Sequence, residues 1–248
     1  MSKLLPHTWT VPDKIRARLG TQAGKQRVMV HDGHLLVILH TVPEPGELTR
    51  KAAMFWRAPD GSWKSTGAAS KGGIMAMRGH LDLFTTALST LEERVESAAR
   101  AADYFAVLHA VAPILRTARA LHKTMQEARE AQGNDADLIT LRDHACDIER
   151  AAELVHSDAK NGLEFTIAKR AEEQAEQGAH IAASSHRLNL LAGLFLPVTA
   201  VATVFSMNFM HGFESRFAPW LFWGVLVFSF LLGFIVRSGL KSKDRALS

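Results

Sequence analysis

Residues 188–205, LNLLAGLFLPVTAVATVF, and residues 218–236, APWLFWGVLVFSFLLGFIV, contain no Asp, Glu, Lys or Arg, and the reading of the whole chain turns on them. At 1.5 Å rise per residue each run reaches roughly 27–28 Å, about the hydrocarbon thickness of a bilayer. Only a short stretch, Ser206 to Phe217, separates the two. The pattern predicts a membrane hairpin, with transmembrane helix 1 over 188–205, a loop over 206–217 and transmembrane helix 2 over 218–236. Arg187 precedes the first run and Arg237, Lys241, Lys243 and Arg245 follow the second, whereas the loop holds only Arg216. The positive-inside rule then places both termini in the cytoplasm and the protein in the inner (plasma) membrane as a multi-pass protein. Trp220 and Trp223 fall near the outer end of the second run, where indole suits an interface.

Placing the first run at 100° per residue separates two faces. Ser185, Asn189, Ala192, Leu196, Thr199, Thr203 and Ser206 share one sector, and Leu190, Leu191, Leu194, Val198, Val201 and Phe205 lie opposite. Hydroxyl and amide groups facing lipid lose their hydrogen bonds to water, so the polar face predicts assembly around an axis. Several copies would line a wet channel with Asn189, Ala192, Thr199 and Thr203, with Leu196 as an apolar gate. Close helix packing through small residues explains the same face, and periodicity alone leaves both readings open.

The segment Leu194-Phe195-Leu196-Pro197-Val198-Thr199, continuing to Ser206-Met207-Asn208-Phe209, resembles the CorA-type magnesium and divalent-cation transporter family. In that family a proline-containing first span ends in Gly-Met-Asn, a short loop follows, and a second span closes the chain. The resemblance is close from about Ser184 onward and architectural before it. It implies an α+β cytoplasmic domain with a long stalk helix and two C-terminal transmembrane helices, a homopentamer in lipid, and a gated pore for Mg²⁺ or another divalent cation. It makes Ser206, Met207 and Asn208 the outer mouth, with Thr199, Thr203 and Leu196 along the pore. The transported ion is then cargo, with no permanently bound cofactor. Mg²⁺ dehydrates reluctantly, so neutral amide carbonyls suit it by holding its waters. Glu214, the loop's carboxylate, could attract cations, although Arg216 is close enough in sequence to neutralise it. Ser206 stands where the family has Gly, and the loop His211-Gly212-Phe213-Glu214-Ser215 departs from the family's continuation. These departures keep open a Zn²⁺ or other transition-metal transporter of the same superfamily, and a non-conducting membrane scaffold or sensor. The family's regulatory metal sites have no residue-by-residue counterpart here.

Upstream, the 248-residue chain carries a formal net charge of +4 and a pI near 9.4. The excess flanks the apolar runs, notably in the basic tail 237–248, and no basic stripe interleaved with aromatics points to nucleic acid. One cysteine, Cys146, excludes an intramolecular disulfide and fits a reducing compartment. Residues 1–73 predict a small β-containing region, with Asp32-Gly33 and Asp60-Gly61 as hairpin turns. Apolar spacing of three and four predicts helix over 74–136, with Pro113 either kinking it or starting a new helix. Asp135 or Asp137 is positioned to cap a stalk helix over 137–187, whose continuity only Asn161-Gly162 threatens.

His144, Cys146 and Asp147, with Asp143 and Glu149 nearby, could suggest zinc, as could His31/His34 or His156/Asp158. None has a second cluster at ligand spacing, and ordinary helix and turn positions explain them better. No phosphate-binding loop, nucleophile elbow or paired metalloprotease histidines occur, so neither an enzyme nor a small organic substrate is expected.

Overall fold

The computed structural model describes residues 4–44, 51–66, 72–133, 135–206, 220, 223–224, 226–231 and 233–235, with the backbone alone at 204–206. It divides into two units, Met1–Lys169 and Arg170–Ser248.

The first unit is α+β. A short helix α1 (Asp13–Arg16) precedes four strands, β1 (Arg27–His31), β2 (His34–His40), β3 (Ala52–Arg57) and β4 (Trp63–Ser65). They form one antiparallel sheet in the order β1-β2-β3-β4. The β1–β2 turn has Asp32 at φ 47° and Gly33 at φ 73°, the paired positive angles that a two-residue hairpin requires. At the second turn Gly61 takes φ 85°, and the Asp60 carboxylate accepts bonds from the Ser62 hydroxyl and backbone N–H at 2.7 and 2.9 Å. Those bonds, the hydroxyl's first, hold the Asp60 carboxyl below its usual range.

Strand β2 explains why its sequence shows no alternation. Leu35, Val37 and Leu39 face the core built by the long helices, while Leu36 and Ile38 face a second core of Leu5, Trp9, Val11, Ile15, Leu19, Met29, Met54 and Trp56. A sheet covered on both faces has no wet side, so five consecutive apolar residues are fully buried. The N-terminal segment supplies the second cover.

Helix α2 (Ile74–Glu96) buries Met77, His80, Leu81, Phe84, Leu88 and Leu91 at helical spacing. Helix α3 (Ala101–Ala131) begins twelve residues before Pro113, which lies inside it. The break occurs at Ser97–Arg100, where the Asp103 carboxylate accepts the Arg100 backbone N–H at 3.0 Å. The paired guanidinium and this backbone bond keep the Asp103 carboxyl low. Helix α4 (Ala136–Ser206) runs 71 residues without a break. Asp135 caps it, accepting from the N–H groups of Asp137 and Leu138 at 3.1 and 3.2 Å. Its buried seam is Leu138, Leu141, Ala145, Ile148, Ala152, Val155 and Ala159.

The Asp135 cap also lies 3.3 Å from Arg57 Nε, an ion pair without hydrogen-bond alignment, and Arg57 Nη1 donates to Gln132 Oε1 at 3.3 Å. The end of β3 is thus fastened to the start of α4. Asp135→Ala is expected to cost roughly 1–2 kcal/mol, combining a lost cap with a lost, partly buried ion pair. Asp135→Asn, which keeps the cap, should cost less than about half of that. Urea denaturation of the two variants checks the order, and equal losses would remove the cap from the account.

The expected transmembrane helices are corrected here. Among the described residues no helix is long and apolar enough to cross a membrane. The described side chains of the first run end at Thr203. Of 218–236 only separated helical positions are described. The inner-membrane, multi-pass placement with cytoplasmic termini rested on those spans and is withdrawn with them.

Candidate functional site

The second unit contains the polar face found in the sequence. Asn189, Ala192, Leu196, Thr199 and Thr203 are all exposed on α4; of the opposite sector Leu190, Leu194, Val198 and Val201 are half-buried, Leu191 is exposed, and the side chain of Phe205 lies outside the described residues. The covered side is close-packed: a Cβ at Gly233 would lie 2.9 Å from the Leu194 carbonyl oxygen and 3.2 Å from Leu194 Cδ1. Glycine is therefore needed at 233 for this approach, and Ser229 nearby in sequence is buried.

On the exposed side, Thr199 Oγ1 donates to the Phe195 carbonyl at 2.9 Å and Thr203 Oγ1 to the Thr199 carbonyl at 2.8 Å. Each hydroxyl proton is turned back into the helix, so the oxygen's remaining capacity is as an acceptor. Pro197 has no N–H to give the Gly193 carbonyl, which leaves another acceptor without its usual helical donor. A face of this kind offers oxygen lone pairs to a cation or to its waters. Ser206 is the last residue of α4. Met207, Asn208 and Glu214 lie outside the described residues.

The first unit holds a different cluster, one that sequence reading missed apart from Glu149. A groove of about 650 Å³ is lined by Arg119, His122, Lys123, Gln126, Glu127, Glu130 and Glu149. His122 Nδ1 lies 2.6 Å from Glu149 Oε2, and Arg119 Nη2 lies 2.8 Å from Glu153 Oε1. Arg119, His122, Lys123 and Gln126 recur at three and four residues along α3, a signal hidden because it looks like any solvated helix face. Acids and bases are mixed there, so the groove has no single-sign field to draw an ion.

The possible zinc residues are not brought together. His144 Nε2 instead meets Thr85 Oγ1 at 3.1 Å and Asp82 Oδ1 at 3.9 Å, and His31 Nε2 meets Asp32 at 3.0 Å. His34 accepts the Trp56 indole N–H at 3.2 Å. Among the described residues no group of three or more His, Cys, Asp or Glu could hold a metal ion.

No protein-family model and no curated protein matches the chain. Solved structures do. The cytoplasmic domain of ZntB from Vibrio parahaemolyticus superposes with a TM-score of 0.54 at 14% identity, covering 66% of this chain and 80% of that one. Full-length CmaX superposes at 0.53 and 16% identity, covering 87% and 78%. The chain shares the fold of these two structures. The complete CorA magnesium transporter from Methanocaldococcus jannaschii is also similar, at a TM-score of 0.39 and 13% identity over 87% and 78% of the two chains.

Proposed function

We propose that the chain is a divalent-cation transporter of the CorA type that works as a homopentamer, and that the Asn189, Ala192, Leu196, Thr199 and Thr203 face of α4 from each copy lines the ion path. The observation that carries this reading is the exposed face itself, in which two threonines four residues apart turn their protons inward and their lone pairs outward. Rings of neutral oxygens suit a hydrated divalent cation, which must be held through its waters and then released. Leu196 on the same face is the apolar constriction, able to gate by dewetting. The fold shared with the ZntB cytoplasmic domain and CmaX supports the class of function, and the resemblance of Ser206-Met207-Asn208 to the CorA-type signature supports a mouth at the end of α4 with Glu214 as a weak attractor. Mg²⁺ is the proposed cargo, with Zn²⁺ the alternative, and no reaction is catalysed.

The test is cation flux into liposomes reconstituted with the purified full chain, run in parallel with Mg²⁺ and Zn²⁺. Wild-type protein is expected to conduct, Thr203→Leu to lose about tenfold or more because five added isobutyl groups would narrow and dry the path, and Asn208→Ala to alter the preference between the ions. Absence of flux from a verified pentamer would sink the transporter reading. Flux untouched by both substitutions would remove these residues from the path while leaving the class intact.

A further inference from the structure

We infer that His80 is an acid-operated latch between α2 and the end of β2, and that proton uptake by its ring opens the junction which His80, His40 and Gln26 hold closed. His80 is 6% exposed and its Nε2 lies 2.9 Å from the His40 carbonyl oxygen. A carbonyl offers only lone pairs, so Nε2 carries the proton and the neutral ring leaves Nδ1 bare. Phe55 and Phe84 close around the ring edge-to-face, with centroids at 5.7 and 5.8 Å. A second proton therefore has to be accommodated in an apolar setting.

The junction reaches further through His40. Its ring Nε2 donates to the Gly24 carbonyl at 2.8 Å, and its backbone N–H donates to Gln26 Oε1 at 3.3 Å. Gln26 Nε2 donates in turn to the Thr117 carbonyl of α3 at 2.9 Å. One strand end thus ties α2, residues 24–26 and α3 together. Of the groups facing His80, His40 of β2 is titratable, while Phe55 of β3 and Phe84 of α2 are apolar. Arg78 and Asp82, its neighbours on α2, are exposed. Among the described residues, the influences on the His80 ring are burial and the His40 carbonyl, with no carboxylate among them.

Burial pushes the His80 pKa below the ordinary histidine value, the bond to His40 opposing it in part. With the folded value depressed, the latch is at full strength above the unfolded value of about 6.5 and weakens as pH falls below it, because the open form takes the proton first. The change approaches roughly tenfold per pH unit until the closed form is protonated too. This device is independent of the proposed ion path.

Hydrogen exchange of the purified full chain, corrected for the intrinsic pH dependence, reads the latch directly. Between pH 7 and pH 5, protection of peptides spanning 24–30, 36–40 and 74–84 is expected to fall about tenfold or more in wild type and to stay level in His80→Gln, whose amide can still donate to the His40 carbonyl. An equal fall in His80→Gln, or none in wild type, overturns the proposal. Should His80→Gln fail to fold at pH 7, ¹⁵N-histidine NMR of the wild type decides. A His80 ring that stays neutral until protection is lost supports the latch, and one that takes up a proton with protection intact overturns it.

Discussion

Trp56→Ala is expected to lower the unfolding free energy of the first unit by about 4 kcal/mol, close to the upper end for a buried aromatic. Trp56 is 2% exposed at the centre of the N-terminal core. Its ring stacks on Trp9 with centroids 5.7 Å apart, and Lys64 Nζ sits 5.2 Å from its centroid. Its indole N–H donates to His34 Nδ1 at 3.2 Å. Truncation leaves a ring-sized void against Trp9, removes the cation–π contact and leaves His34 without that donor, so transfer, cavity and polar terms act in one direction. Trp56→Phe refills most of the volume and should cost about half as much, because the hydrogen bond is what it loses. Chemical denaturation followed by circular dichroism separates the two. A loss below about 1 kcal/mol for Trp56→Ala would show that the N-terminal segment contributes little to folding.

Gly162→Leu is expected to cost about 3 kcal/mol, and the reason inverts the usual view of glycine in a helix. A Cβ at 162 would overlap Cε1 of Tyr104 and lie 2.7 and 2.8 Å from its Cζ and Cδ1. The ring is held in place because its hydroxyl donates to the Ala98 carbonyl at 3.1 Å. Gly162→Ala gains about 1 kcal/mol of helix propensity but must displace that ring, for a net loss of roughly 1–2 kcal/mol. The decisive experiment is the cycle with Tyr104→Ala. In that background Gly162→Ala should become stabilising, since the obstacle is gone and propensity remains. If the sign does not reverse, Tyr104 is not what selects glycine at 162.

Much of the candidate face was legible beforehand. The polar sector of Asn189, Ala192, Leu196, Thr199 and Thr203 follows from 100° steps. The inward hydroxyl bonds are local i to i−4 contacts that any helical threonine can make. The Arg119, His122 and Glu149 cluster was not legible, because it joins residues 27 and more positions apart on two helices. The His80 latch was hidden for the same reason. In sequence His80 is one polar residue on an apolar helical face, and only the fold supplies the His40 carbonyl forty residues away.

By itself the sequence determined the features whose physics is local. The Asp32-Gly33 turn follows from the need for positive φ, α2 and the seam of α4 from apolar period, and the start of α4 from a capping carboxylate at Asp135 or Asp137, between which the structure selects Asp135. Even Asn161-Gly162, a weak point on propensity alone, did not break α4. What only the tertiary structure decided depends on what lies opposite each surface. Propensity placed a possible helix start at Pro113, whereas packing and the Arg100–Asp103 contact put it at Ala101. Pattern marked β2 as apolar without saying why, and burial against two separate cores explains it. The runs at 188–205 and 218–236 looked long enough to span a bilayer when counted as uncharged residues. Among the described residues no helix is long and apolar enough to cross a membrane, so those spans are not part of the structure described.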